Sequence, residues 1–121
     1  MGSEPTSPLS AGQRVRADLD KALAEASREA GQPLEWSEQE LLIIERAVAA
    51  ADRSEALGRL WQEELDGEAH PSVLVKLAAE MRAQDRAVVE LIGRVNPGVG
   101  PAKSQRHQRA ARARWDKRLG A

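Results

Sequence analysis

The chain has no cysteine, tyrosine or phenylalanine, and only two histidines. Without cysteine there is neither a disulfide framework nor a thiolate metal site. Without Tyr and Phe the chain lacks most of the aromatic surfaces on which single-stranded nucleic acids stack their bases. His70 and His107 are far apart and neither sits in a metal-ligand spacing, so no metal and no cofactor are expected. Gly98-Val99-Gly100-Pro101 is too short to cradle a phosphate and opens no helix with Lys-Ser/Thr. No apolar run approaches the ~20 residues of a membrane span. Met1-Gly2-Ser3-Glu4-Pro5 carries neither a basic n-region nor an apolar h-region, so no secretory signal is read there. These absences predict a non-enzymatic protein without catalytic residues, placed in a cell's cytoplasm and not on a membrane.

What is present is helix-forming. Ala, Leu, Glu and Arg dominate the 121 residues, and the six prolines and nine glycines gather near 1–12, 31–33, 67–71 and 93–101. The fold class expected is all-α: an antiparallel hairpin of two long helices, with a weaker N-terminal helix and a basic helical tail. Residues 1–10 read as a disordered leader. Ser10 with Gln13 can form a capping box for a helix over about 11–30, stopped by Gly31 and Pro33. Its apolar stripe (Val15, Leu19, Leu23) is thin, which predicts weak docking. Ser37 with Glu40 forms a second capping box, and Trp36 before it can staple onto Leu41. From Glu38 nothing interrupts the helix until Gly67, although Gly58 weakens it. Pro71 suits the first turn of the next helix, which Asn96-Pro97-Gly98 ends. The hairpin domain is thus expected over 36–96, and a Pro/Gly hinge over 97–101.

Leu74, Met81, Val88 and Val95 recur every seven residues, with Leu77, Gln84 and Leu91 between them; Gln84 alone is polar in this coiled-coil-like seam. The preceding helix carries two stripes: Leu41, Ile44, Val48 and Ala51, and, on roughly the opposite side, Ile43, Ala47, Ala50, Ser54, Leu57 and Trp61. One can pack inside the hairpin. The other needs either a second subunit or helix 11–30 of its own chain. A hairpin of some sixty residues without disulfides or metal is marginal alone, which favours a homo-oligomer. His70 is assigned to the turn, and Glu63, Glu64, Asp66 and Glu68 to a solvated acidic tip rather than a cation site.

The net charge of −1 conceals a division. Residues 1–101 hold 11 Lys and Arg against 18 Asp and Glu, a net of −7, whereas residues 102–121 hold seven against Asp116 alone, a net of +6. On a helical wheel Ala111, Trp115 and Leu119 form a narrow apolar stripe. Lys103, Arg106, His107, Arg109, Arg112, Arg114, Lys117 and Arg118 cover most of the rest. So many like charges resist folding alone, and phosphates would relieve the repulsion by releasing condensed counterions. Duplex DNA, contacted through its backbone without base readout, is therefore the expected partner of these eight residues. The alternatives are an acidic protein surface, including the hairpin's own acids, or a solvated tail.

The stretch Ala49-Ala50-Ala51-Asp52-Arg53, the ending Leu91-Ile92-Gly93-Arg94-Val95-Asn96-Pro97-Gly98, and the tail Lys103-Ser104-Gln105-Arg106-His107 followed by Ala110-Ala111-Arg112-Ala113-Arg114-Trp115 resemble small terminase subunits of actinobacterial phages and prophages. The resemblance covers about residues 36–118. It implies a ring-forming oligomer that engages viral DNA and passes it to the large terminase subunit, which holds the ATPase and nuclease, within the host cytoplasm. Many members open with a helix-turn-helix, whereas residues 1–35 hold at most one helix. DNA binding would then rest on the tail or on an unusual N-terminal arrangement. Two other readings stay open: a helical adaptor whose tail binds an acidic partner, and a small phage transcriptional regulator.

Overall fold

A computed structural model describes residues 8–95 and Pro97. These residues form three helices, α1 (Ala11–Ala30), α2 (Glu38–Asp66) and α3 (Pro71–Gly93), and no strand. The helix limits are set by local chemistry. The Ser10 side chain accepts from the Gln13 N–H at 3.1 Å while the Gln13 side chain accepts from the Ser10 N–H at 2.8 Å. Gly31, with φ 68°, closes α1: its N–H donates to the Arg28 carbonyl, and that of Gln32 to the Ser27 carbonyl, each at 3.2 Å. A side chain at this left-handed φ would be strained, which is why glycine ends the helix. Ser37 and Glu40 reproduce the capping box at α2, whose first turn also carries Glu38 beside the positive end of the helix dipole. Pro71 opens α3, where its missing N–H costs no hydrogen bond.

The linker between α1 and α2 does not swing free. Ser27 Oγ donates to the Leu23 carbonyl at 2.9 Å and accepts from the Leu34 N–H at 3.0 Å, which folds the linker back onto α1. Leu34 and Trp36 are both buried, and the Trp36 indole N–H donates to Asp20 Oδ1 at 3.0 Å. Leu41 packs against the cluster that includes Trp36.

That cluster is the core: Leu19, Trp36, Ile44 and Val95, bordered by Val15, Leu23, Leu41, Ile43, Val48 and Ile92. It lies where α1, the linker, the start of α2 and the end of α3 converge. Ile44 and Val95 have no exposed surface at all. The thin stripe of α1 predicts weak docking, yet Leu19 is a core residue, clustered with Trp36, Ile44 and Val95, with Val15, Leu23 and Val48 packed against them. Gly12 removes the last obstacle: a Cβ there would lie 2.6 Å from the Val48 carbonyl oxygen. The apolar contact is small in area but close.

α3 turns back along α2. Ser54 Oγ donates to Asp85 Oδ1 at 2.6 Å, and Arg53 Nε donates to Gln84 Oε1 at 3.1 Å. One turn further along α2, Gly58 faces the Met81 methyl group. The single polar residue of the α3 seam is thereby explained: Gln84 is a hydrogen-bond partner for α2. α3 itself contains no buried residue; Leu74, Leu77, Met81, Val88 and Leu91 are all half-buried, as are Leu57 and Trp61 opposite. Two helices alone cannot enclose a seam between them, and the polar contacts of α1 run along α2 as far as Glu55.

Candidate nucleic-acid interface

The eight cationic candidates, Lys103, Arg106, His107, Arg109, Arg112, Arg114, Lys117 and Arg118, lie outside the described residues, as does the 98–101 portion of the hinge. The structure describes the body from which that segment departs. Its last described residues are anchored: the Val95 N–H donates to the Ile92 carbonyl at 3.1 Å, Val95 is wholly buried and Pro97 is buried. The tail therefore leaves from the core end of the molecule, beside the start of α2.

The candidate core and oligomerisation residues divide between two contacts within the chain. Ile43, Ile44 and Val48 belong to or border the cluster that holds Leu19 of α1 and Val95, whereas Leu57 and Trp61 lie further along α2, on the stripe that Ser54 ties to α3. Sequence reasoning left open whether one of these stripes meets a second subunit or helix 11–30. Here α1 occupies one and α3 the other. Exposed aliphatic side chains lie beside these contacts: Leu60, Leu65, Val73 and Val75 toward the α2–α3 turn, with Leu42 and Val89 nearer the core.

Two carboxylates invisible as functional groups in the sequence fix α1. Its first turn has no acid of its own. Asp52 and Glu55 of α2 take that place, Asp52 Oδ1 accepting from the Gly12 N–H at 2.8 Å and Glu55 Oε1 from the Ala11 N–H at 3.1 Å. Arg14 reaches Glu55 Oε2 at 3.3 Å and the Leu9 carbonyl at 2.7 Å. The first N–H groups of any helix lack intrahelical acceptors and form the positive end of its dipole, so anions are stabilised there. The Gly12 N–H, then the Ser10 hydroxyl and the Arg14 charge, accordingly hold the Asp52 carboxyl below the usual carboxylate range. No sequence rule would have paired residues forty positions apart.

At the opposite end of the molecule the turn is built around His70. Its Nδ1 lies 2.7 Å from Glu64 Oε2 and its Nε2 3.0 Å from Glu68 Oε2, while its backbone N–H donates to Glu64 Oε2 at 2.8 Å. The backbone and then the side-chain hydrogen bond from His70 hold Glu64 below its ordinary pKa. Ala69 takes a φ of 51° to make this possible. Among the described residues no group of three or more His, Cys, Asp or Glu side chains is arranged to hold a metal ion, and no helix is long and apolar enough to cross a membrane.

A shallow groove runs between α2 and α3. It is lined by Arg46, Ala49, Ala50 and Arg53 from α2 and by Ala87, Glu90, Leu91 and Arg94 from α3. Its floor is mostly methyl groups and its rim is mostly guanidinium.

Compared with protein-family profiles, curated proteins and solved structures, the chain matches none. Function has to be argued from its own residues.

Proposed function

We propose that the protein is a non-enzymatic DNA-binding assembly protein of the small-terminase type: a helical body that self-associates and presents a cationic C-terminal arm to duplex DNA, for delivery to a large, ATP-hydrolysing packaging subunit. The observation that carries this reading is the charge division, a net +6 over residues 102–121 against −7 over the remainder. An arm of the opposite sign with seven Lys and Arg concentrates an attraction for phosphate that the net charge of the body does not supply. The burial of Val95 in the core supports it by fixing the point on the body from which the chain continues toward those cations. The packaging role in particular comes from the resemblance of residues 36–118 to small terminase subunits.

Self-association is part of the proposal because several arms acting together bind far more tightly than one. The half-buried α2–α3 hairpin beyond the reach of α1, with Leu60, Leu65, Val73 and Val75 exposed, is the surface it would use. Deleting residues 102–121 is expected to abolish duplex binding in a gel shift while leaving the particle mass by light scattering unchanged. Retained DNA binding by the truncated chain would refute the assignment to the tail.

The adaptor reading has one observation in its favour, the acidic residues Glu63, Glu64, Asp66 and Glu68 near the turn, which could receive the tail or attract a cationic partner. A salt titration against duplex DNA separates the readings. Phosphate contact gives a log–log slope of about 0.9 per contact, whereas an adaptor shows little DNA affinity even in dilute buffer.

A further inference from the structure

The geometry points to a second phosphate-binding surface on the body itself: the alanine-floored groove between α2 and α3, with Arg46, Arg53 and Arg94 as its cations and the phosphodiester backbone of duplex DNA as its occupant. The inference rests on the DNA-binding reading above and extends it from the tail to the folded domain.

Three observations carry it. The first is charge without partners. Residues 1–101 are net negative, so an arginine in this body has carboxylates in plenty to pair with. Among the described residues Arg14, Arg16 and Arg59 pair with carboxylates and the other eight Lys and Arg do not; of those eight, Arg46, Arg53 and Arg94 come together along one groove. Three acids of α2 are committed elsewhere. Asp52 and Glu55 hold the N-terminus of α1, and Glu40 closes the capping box of α2. Glu90 is the one carboxylate in the groove. Arg53 is steadied by Gln84, a neutral acceptor that fixes the side chain without cancelling its charge.

The second is shape. Arg46 and Arg53 stand seven residues apart on α2, two turns and ~10 Å along the axis, on one side of the helix. Ala49, Ala50 and Ala87 between the arginines present no side chain beyond Cβ, so a polyanionic strand can approach the floor while guanidiniums close on it from the rim. Guanidinium is suited to this because its planar donors bind phosphate oxygens in pairs and it sheds water more readily than an ammonium.

The third is position. Arg94 is the residue that ends α3, immediately before the buried Val95 from which the chain continues toward Lys103. A duplex held by the tail close to its root lies beside this groove, and the groove adds contacts to a ligand already brought near.

The test uses the full chain and a short duplex of arbitrary sequence. Arg46→Gln/Arg94→Gln removes two cations that make no hydrogen bond within the body, so the melting temperature is expected to stay at the wild-type value. The log–log salt slope of binding is expected to fall by roughly 1.8, about 0.9 for each lost phosphate contact. Arg46→Lys/Arg94→Lys, which keeps the charge, should restore most of that slope. A wild-type slope in the Gln variant overturns the groove while leaving the tail reading intact. No binding by the wild-type chain overturns both. Loss of self-association with unchanged DNA binding would assign the groove to the acidic turn of a second copy, and would likewise overturn the proposal.

Discussion

Gly12 and Gly58 both sit within helices, yet their substitution by alanine is expected to have opposite signs. Gly58 lies in the interior of α2, where a Cβ would meet the Met81 methyl group at 3.6 Å, an ordinary van der Waals distance. Alanine there gains helix propensity worth ~1 kcal/mol and meets no steric objection. For a domain of this size that corresponds to a rise in Tm of about 4–8 °C. At Gly12 a Cβ would stand 2.6 Å from the Val48 carbonyl oxygen and 2.7 Å from both the Val48 methyl and Asp52 Oδ2. The carbonyl belongs to the α2 backbone and cannot rotate away, so α1 must back off. That movement also stretches the 2.8 Å hydrogen bond between the Gly12 N–H and Asp52. Overpacking of this kind costs ~1–3 kcal/mol, more than the propensity gained at a first-turn position. Gly12→Ala is therefore expected to be destabilising on balance by about 1–2 kcal/mol. Equilibrium urea unfolding followed by far-ultraviolet circular dichroism, on the two single variants and the wild type, measures both. If Gly12→Ala proves as stable as the wild type, the close approach of α1 to α2 is wrong; if Gly58→Ala is less stable, the room between Gly58 and Met81 is wrong.

Other outcomes follow from the same packing. Ile44→Ala empties a side chain with no exposed surface and is expected to cost ~2–5 kcal/mol, against ~0.5–1.5 kcal/mol for Ile44→Val; equal losses in urea melts would contradict a tightly packed site. Asp52 and Glu64 both have pKa values lowered in the folded state, so the unfolded chain binds more protons in acid. Their contribution is complete above the ordinary values of 3.8 and 4.5 and is lost as pH falls through the lower folded values. Asp52→Asn should flatten part of the acid limb of a Tm-against-pH profile, and an unchanged limb would count against the carboxylate seat of α1. Truncation after residue 101 should leave the circular dichroism melt of the body unchanged, because every residue of the described core cluster precedes Asn96; a large drop in Tm would mean that the tail packs on the body.

The limits of the helices were legible from the sequence because the forces that set them are local. A serine three residues before a glutamine or glutamate, a glycine able to adopt positive φ, and a proline in a first turn each act within one helical turn. Ser10, Gly31, Ser37 and Pro71 accordingly mark the ends where they were expected. The cationic segment was equally legible, since net charge is a property of composition and needs no fold. The facing of α2 was not legible. Its two stripes are both plausible as buried surfaces, and periodicity says only that each wants a partner. Which partner depends on how closely α1 can approach, and that is decided by the missing Cβ of Gly12 and by Asp52 and Glu55 receiving the free N–H groups of a helix that begins forty residues earlier. The same holds for Gln84, a flaw in the heptad pattern until Arg53 is placed beside it. The arginine groove, too, exists only once α3 has folded back, bringing Arg94 near Arg46 while three acids of α2 turn to other tasks. Composition and short-range chemistry thus determined the helices and the charged arm. Tertiary packing alone decided which faces are covered and which cations are left for a ligand, because pairing across the chain depends on distances in space that no local rule encodes.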